Sequence, residues 1–173
     1  ERLAWDAFAA AHGMTAAARM AMVREADGQV AQVAGTGFVF TPFARAGALS
    51  DALGFSAAGG VWVKDETHNV AGSHKARHLF TILLHLLTVE RVGLAPWASS
   101  GQRPALAIAS CGNAALAAST LAASVEWPIR VFVPVAANPV VVAELHRLGA
   151  TVVECPRLCA DPVYTVIAEK FHA

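Results

Sequence analysis

At 173 residues the chain is long enough to bury a core of its own, and 55% of it is hydrophobic against 15% charged, which excludes an intrinsically disordered segment. Lysine plus arginine and aspartate plus glutamate are equal at 13 each. No overall field therefore favours nucleic acid or an acidic membrane surface, and neither is expected as a partner.

In chain order, residues 3–25 have helical composition, with Gly13 dividing them into two pieces. Gly35-Thr36-Gly37 reads as a loop, followed by a short extended segment, Phe38-Val39-Phe40, that stops at Thr41-Pro42. Val61-Trp62-Val63 is a short apolar strand ending at Lys64-Asp65-Glu66. A polar loop over 67–72 leads to a helix over 74–91, with Gly93 just past its end as a stop. Residues 104–109 form the next apolar strand and 113–124 the next helix. Ile129 to Val133 is a β-branched strand closed by Pro134. Asn138 then caps a helix that has Pro139 in its first turn and stops at Gly149. Residues 151–153 are a strand, and Asp161-Pro162 opens a last helix with the same cap-plus-proline signature. Strands and helices alternating through short connections predict a doubly wound α/β fold, its mainly parallel sheet covered by helices on both faces. The expected division is an N-terminal segment over 1–95 and a small α/β subdomain over 96–173.

Cys111, Cys155 and Cys159 form no C-x-x-C pair, so free thiols in a reducing cytoplasm are expected in place of a disulfide framework. With charges scattered from Glu1 to Asp27 no secretory leader is expected, and the apolar run over 79–89 is too short to span a bilayer.

Ligands of open parallel sheets collect beyond the carboxyl ends of strands, where loops feed helix N-termini. Two loops answer to this. The first, over 64–78, is unusually polar and puts Lys75 in the first turn of a helix. The helix dipole favours anions there, so a lysine is electrostatically misplaced unless its amine is neutral or bonded as an imine. The second loop, Ser110-Cys111-Gly112-Asn113, follows a strand and opens a helix. Free backbone N–H groups, a hydroxyl and a glycine make it a cradle for a carboxylate or phosphate.

Together these residues carry a family resemblance. Gly72-Ser73-His74-Lys75-Ala76-Arg77 resembles the G-S-[aromatic]-K-x-R motif of the fold-type-II, tryptophan-synthase-β-like pyridoxal-phosphate enzymes, among them threonine synthase, the serine and threonine dehydratases and cysteine synthase. Val63-Lys64-Asp65-Glu66 is similar to their L-K-x-E strand end, and Ser110-Cys111-Gly112-Asn113 to their S-[ST]-G-N loop. Val131-Phe132-Val133-Pro134 and the stretch over 145–153 resemble the segment that follows, so the likeness runs over about residues 40–170.

The resemblance implies pyridoxal 5'-phosphate as cofactor, with Lys75 forming the internal aldimine. It implies Asn113 on the cofactor hydroxyl, and Ser110, Cys111 and Gly112 around the carboxylate of a small amino-acid substrate. The implied chemistry is that of a lyase or synthase, through β-elimination or β- or γ-replacement, in amino acid metabolism; the full-length form is expected to be a homodimer. Two residues depart from the pattern: His74 replaces the aromatic, and Cys111 replaces a hydroxyl residue. In these enzymes a glycine-rich phosphate loop and a Ser, Thr or Cys facing the pyridine nitrogen come later in sequence. The chain is therefore expected to be an N-terminal part, without the rest of the large domain.

The alternative is a non-catalytic remnant or subunit fragment that keeps the fold and serves in assembly. Three other readings are weaker. Gly35-Thr36-Gly37 lacks the preceding strand and third glycine of a dinucleotide loop. His74 and His78 have the spacing of a zinc pair, but neither the glutamate of H-E-x-x-H nor a third ligand accompanies them, so no metal is expected. Cys111 has the helix-start position of a nucleophile but reads better as a residue lining a carboxylate site. Of the three lysines, Lys64 reads as a salt-bridge partner and Lys170 as a surface charge.

Overall fold

The computed structural model describes residues 4–156. The helix expected from Asp161 lies outside them. Gly13 does divide the first helical stretch, with α1 over Ala4–Ala11 and α2 over Ala16–Ala34. Thr15 starts α2 by accepting a hydrogen bond from Ala18 N at 3.2 Å. α2 runs nine residues beyond the predicted end at Glu25, because Met22, Ala26 and Val30 form a buried stripe at four-residue spacing. Gly35, in the left-handed conformation at φ 75°, ends it. Gly37 matters for a different reason: a Cβ there would lie 2.8 Å from Asp27 Oδ1, the atom that accepts the Phe38 N–H at 2.7 Å. The glycine pair thus closes a helix and is not a nucleotide loop.

The extended segment predicted before Pro42 is not a strand. Strand β1 comes after it, over Phe43–Arg45, and pairs antiparallel with β2, Trp62–Lys64, as a separate two-stranded sheet. The short helix α3, Gly47–Ala52, lies between them and was not foreseen. Helix α4 covers Lys75–Arg91. Then comes β3 at Leu106–Ala109, α5 at Asn113–Ser124, β4 at Ile129–Pro134, α6 at Pro139–Arg147 and β5 at Thr151–Cys155. Asn138 caps α6 as expected, its side chain accepting from Val140 N at 2.9 Å.

Strands β3, β4 and β5 form a parallel sheet in sequence order, Val131 of β4 lying between Ile108 and Val152. Crossovers between successive parallel neighbours are right-handed as a rule, which places α5 and α6 on one face of this sheet, and the two helices pack on each other. Burial agrees in part: Val131 and Val133 are sealed and Ala107, Ala109 and Arg130 on the alternate positions are exposed, although Phe132, also on an alternate position, is buried. This is the α/β arrangement of helices on a parallel sheet. Its core joins Trp5 and Ala9 of α1, the α2 stripe, Phe80, Leu83 and Leu84 of α4, the alanine-rich face of α5, and Leu145 of α6. Small side chains let α5 approach α2, α4 and β3 closely, which explains the alanine content of this stretch. No helix among the described residues is long and apolar enough to cross a membrane.

Candidate active site

Beyond β2 the chain is shaped by short-range polar contacts. Asp65 Oδ1 accepts from both Thr67 N (2.9 Å) and Thr67 Oγ1 (2.6 Å), and the hydroxyl first, then the N–H, hold its carboxyl below the usual range against the opposing effect of desolvation. A 3-10 turn follows over Val70–Gly72, in which Ala71 has φ 52° and Gly72 φ 62°. A left-handed alanine is costly, of order 1 kcal/mol or more, and such strain collects where a loop is held for a purpose. The two left-handed residues swing the chain into α4, whose first residue is Lys75.

Lys75 is exposed. Its placement at a helix start is as predicted. Ser73, two residues before it, is 5% exposed, and its hydroxyl has no hydrogen-bond partner among the described residues. Lys64, by contrast, is committed: Nζ donates to Thr41 O, sits 3.9 Å from Glu66 Oε1 and lies over the Phe40 ring. It is the salt-bridge partner the sequence indicated.

The second loop leaves the carboxyl end of β3. Ser110 N still donates to Phe132 O at 3.2 Å, carrying the sheet ladder to the edge of the loop. Gly112 N points at Ser110 Oγ at 3.5 Å. Gly112 is the cap residue of α5 and makes no side-chain capping bond, so the first turn of α5 has its N–H groups without a side-chain cap. A Cβ built on Gly112 would meet nothing within 4 Å, so the approach to this backbone is open. Ser110 is half-buried, whereas Cys111 and Asn113 are exposed.

The two helix starts belong to one core. Val70, Ala76 and Ala115, each within five residues of Lys75 or Asn113, are all fully buried in it, and both the 3-10 turn and α4 pack against α5. Sequence reasoning missed the polar network beside Lys75. Glu66 Oε1 accepts from Thr41 Oγ1 at 2.6 Å, while Oε2 accepts from Arg77 Nε and Asn69 Nδ2, both at 2.9 Å. Arg77 also donates from its outer nitrogen to Val39 O at 2.7 Å. The Thr41 hydroxyl, then the Arg77 guanidinium, hold the Glu66 carboxyl below its usual range, against desolvation. Glu66 and Arg77 stood within the quoted motifs; nothing in the sequence linked them to Thr41.

A lysine amine, a buried hydroxyl lacking a partner and an uncapped helix N-terminus form a donor set that suits a carbonyl-bearing, anionic cofactor. The fold is that of an α/β protein with two helix starts at the ends of its strands. Residues 36–171 match the family model described as pyridoxal-phosphate dependent enzyme, and the chain belongs to that family. Among solved structures it is similar to a pyridoxal 5'-phosphate-dependent aspartate racemase, with TM-score 0.58, 19% identity, and coverage of 88% of this chain and 42% of that one. Maize serine racemase gives TM-score 0.55 and 17% identity over 88% and 40% of the two chains. Escherichia coli diaminopropionate ammonia lyase gives 0.56 and 18% over 88% and 42%. A comparison with curated proteins gives no match. The chain thus spans about two fifths of the length of these structures.

Proposed function

We propose that the protein is a pyridoxal-phosphate-dependent lyase or synthase acting on a small amino acid, with elimination of a β-leaving group as its reaction and replacement of that group as the second choice. The reading rests on one observation above all. Lys75 opens a helix directly after a strained turn, and that turn packs on the helix whose uncapped start follows Ser110-Cys111-Gly112. The racemase and ammonia-lyase likenesses agree with it, since both names denote work on amino acids.

In this reading Lys75 is the residue that attaches the cofactor through Nζ. When bound, pyridoxal phosphate supplies an electron sink for the substrate's α-carbon. Lys75 Nζ, when not attached to the cofactor, would take the α-proton. The N–H groups at the start of α5, with Ser110 and Gly112, orient the substrate carboxylate by the attraction of a helix N-terminus for anions. Asn113 would hydrogen-bond the cofactor hydroxyl. Cys111 lines the same loop and, as a weak donor, gives the carboxylate less than a hydroxyl would.

Borohydride reduction in the presence of pyridoxal phosphate, followed by peptide mapping, tests this. Reduced cofactor on Lys75, preceded by an imine absorption band, is the expected result. Label scattered over Lys64, Lys170 and the amino terminus would sink it and favour a non-catalytic member that has kept the fold.

A further inference from the structure

Glu66 joins three segments through one carboxylate. It holds Thr41 before β1, Asn69 in the loop after β2, and Arg77 in the first turn of α4. Its side chain is only 12% exposed, and both oxygens are engaged. Arg77 is in turn held from two sides, by Glu66 at Nε and by Val39 O and Thr41 Oγ1 at its outer nitrogen. A guanidinium held at Nε and at one outer nitrogen is less free to rotate than a lone surface arginine.

Arg77 stands two residues past Lys75, and two helical steps turn the side-chain direction by about 200°. Pinning Arg77 on one side of α4 therefore sets the direction in which Lys75 leaves the other. Just before Lys75, His74 makes no side-chain capping bond and the strained 3-10 turn ends at Gly72, so beyond the core packing of Val70 and Ala76 the Glu66–Arg77 contact is what ties this turn to the segment before β1.

We propose that Glu66 is a positioning residue for Lys75, acting through Arg77 to fix the rotation of the first turn of α4 and so the aim of the cofactor-bearing amine. The inference rests on the reading of Lys75 as the cofactor lysine. Glu66 itself need touch neither cofactor nor substrate. Glutamine in its place keeps the shape but loses the charge that holds the guanidinium.

The test uses the full chain with pyridoxal phosphate and reads three quantities below the unfolding midpoint of every variant. These are the rate of imine formation, the site of borohydride labelling, and the circular dichroism induced in the imine band, which reports a fixed orientation. Glu66→Gln is expected to keep the label on Lys75 while slowing imine formation between about tenfold and a hundredfold, the effect of a small misplacement. The induced dichroism should fall with it. Arg77→Lys should do the same, and the double variant should be no worse than either single one, because the two residues act in series. If Glu66→Gln does not fold, Arg77→Lys carries the test. Wild-type rate and dichroism in a folded variant, or effects of the two substitutions that simply multiply, would overturn the proposal while leaving the Lys75 reading intact. Failure of the unmodified protein to label at Lys75 would overturn both.

Discussion

Thr88 is the place to test how α4, the helix that starts at Lys75, is held. Its hydroxyl accepts from Trp5 Nε1 at 2.7 Å and donates to Leu84 O at 2.8 Å. Thr88 is fully buried and Trp5 is 5% exposed. Thr88→Val keeps the volume and removes the acceptor, leaving an indole N–H buried and unpaired, which costs about 1–3 kcal/mol. The Leu84 carbonyl keeps its helix partner, so its lost second bond adds little. We therefore expect about 2 kcal/mol of destabilisation. With a urea dependence of about 2 kcal/mol per molar for a chain of this size, the midpoint should fall by about 1 M.

Trp5→Phe also destabilises, through the smaller ring. In Trp5→Phe/Thr88→Val, however, no donor is left to orphan, so the double variant should be more stable than the sum of the singles by about 1–2 kcal/mol. Urea unfolding followed by far-ultraviolet circular dichroism measures all four proteins without relying on the tryptophan being changed. A Thr88→Val cost below about 0.5 kcal/mol, or singles that add within about 0.3 kcal/mol, would show that the indole bond is not what ties α1 to α4.

Three further expectations use the same structure. Leu145 is fully buried beneath the parallel sheet, so Leu145→Ala should cost about 3–5 kcal/mol in the same urea assay. The Glu90 carboxyl is held below its ordinary value of 4.5 by hydrogen bonds from Arg103 first, and by its charge, against desolvation. Its contribution to stability is then complete above that value and is lost as pH falls through the lower folded-state value. Glu90→Gln should accordingly lower stability at neutral pH and flatten the decline on the acid side, as read from urea midpoints across that range. Finally, Cys111 is exposed and Cys155 is buried, so brief iodoacetamide treatment with peptide mapping should modify Cys111 well before Cys155; equal rates would contradict the burial.

How much of this was legible in advance differs between elements. The positions of Lys75 and of Ser110-Cys111-Gly112-Asn113 at two helix starts were legible, because each depends on a few adjacent residues. Thr41 was not legible, since it meets Glu66 across 25 positions and Arg77 across 36. Nor was the orphaned hydroxyl of Ser73, because burial is a property of what surrounds a residue.

By itself the sequence determined the stop of α4 at Gly93, both ends of α6 through Asn138-Pro139 and Gly149, and the apolar strands around them. Those signals act through backbone angles and hydrogen bonds within one turn of chain, so a short window contains them. Tertiary structure alone decided that β2 turns back on β1 as a separate antiparallel pair and that α2 runs on to Ala34. It also decided that Trp5 finds Thr88 across 83 positions, and that one glutamate grips the helix turn next to Lys75. Each of these is fixed by many weak burial and hydrogen-bonding terms summed over residues distant in sequence, and no local pattern records that sum.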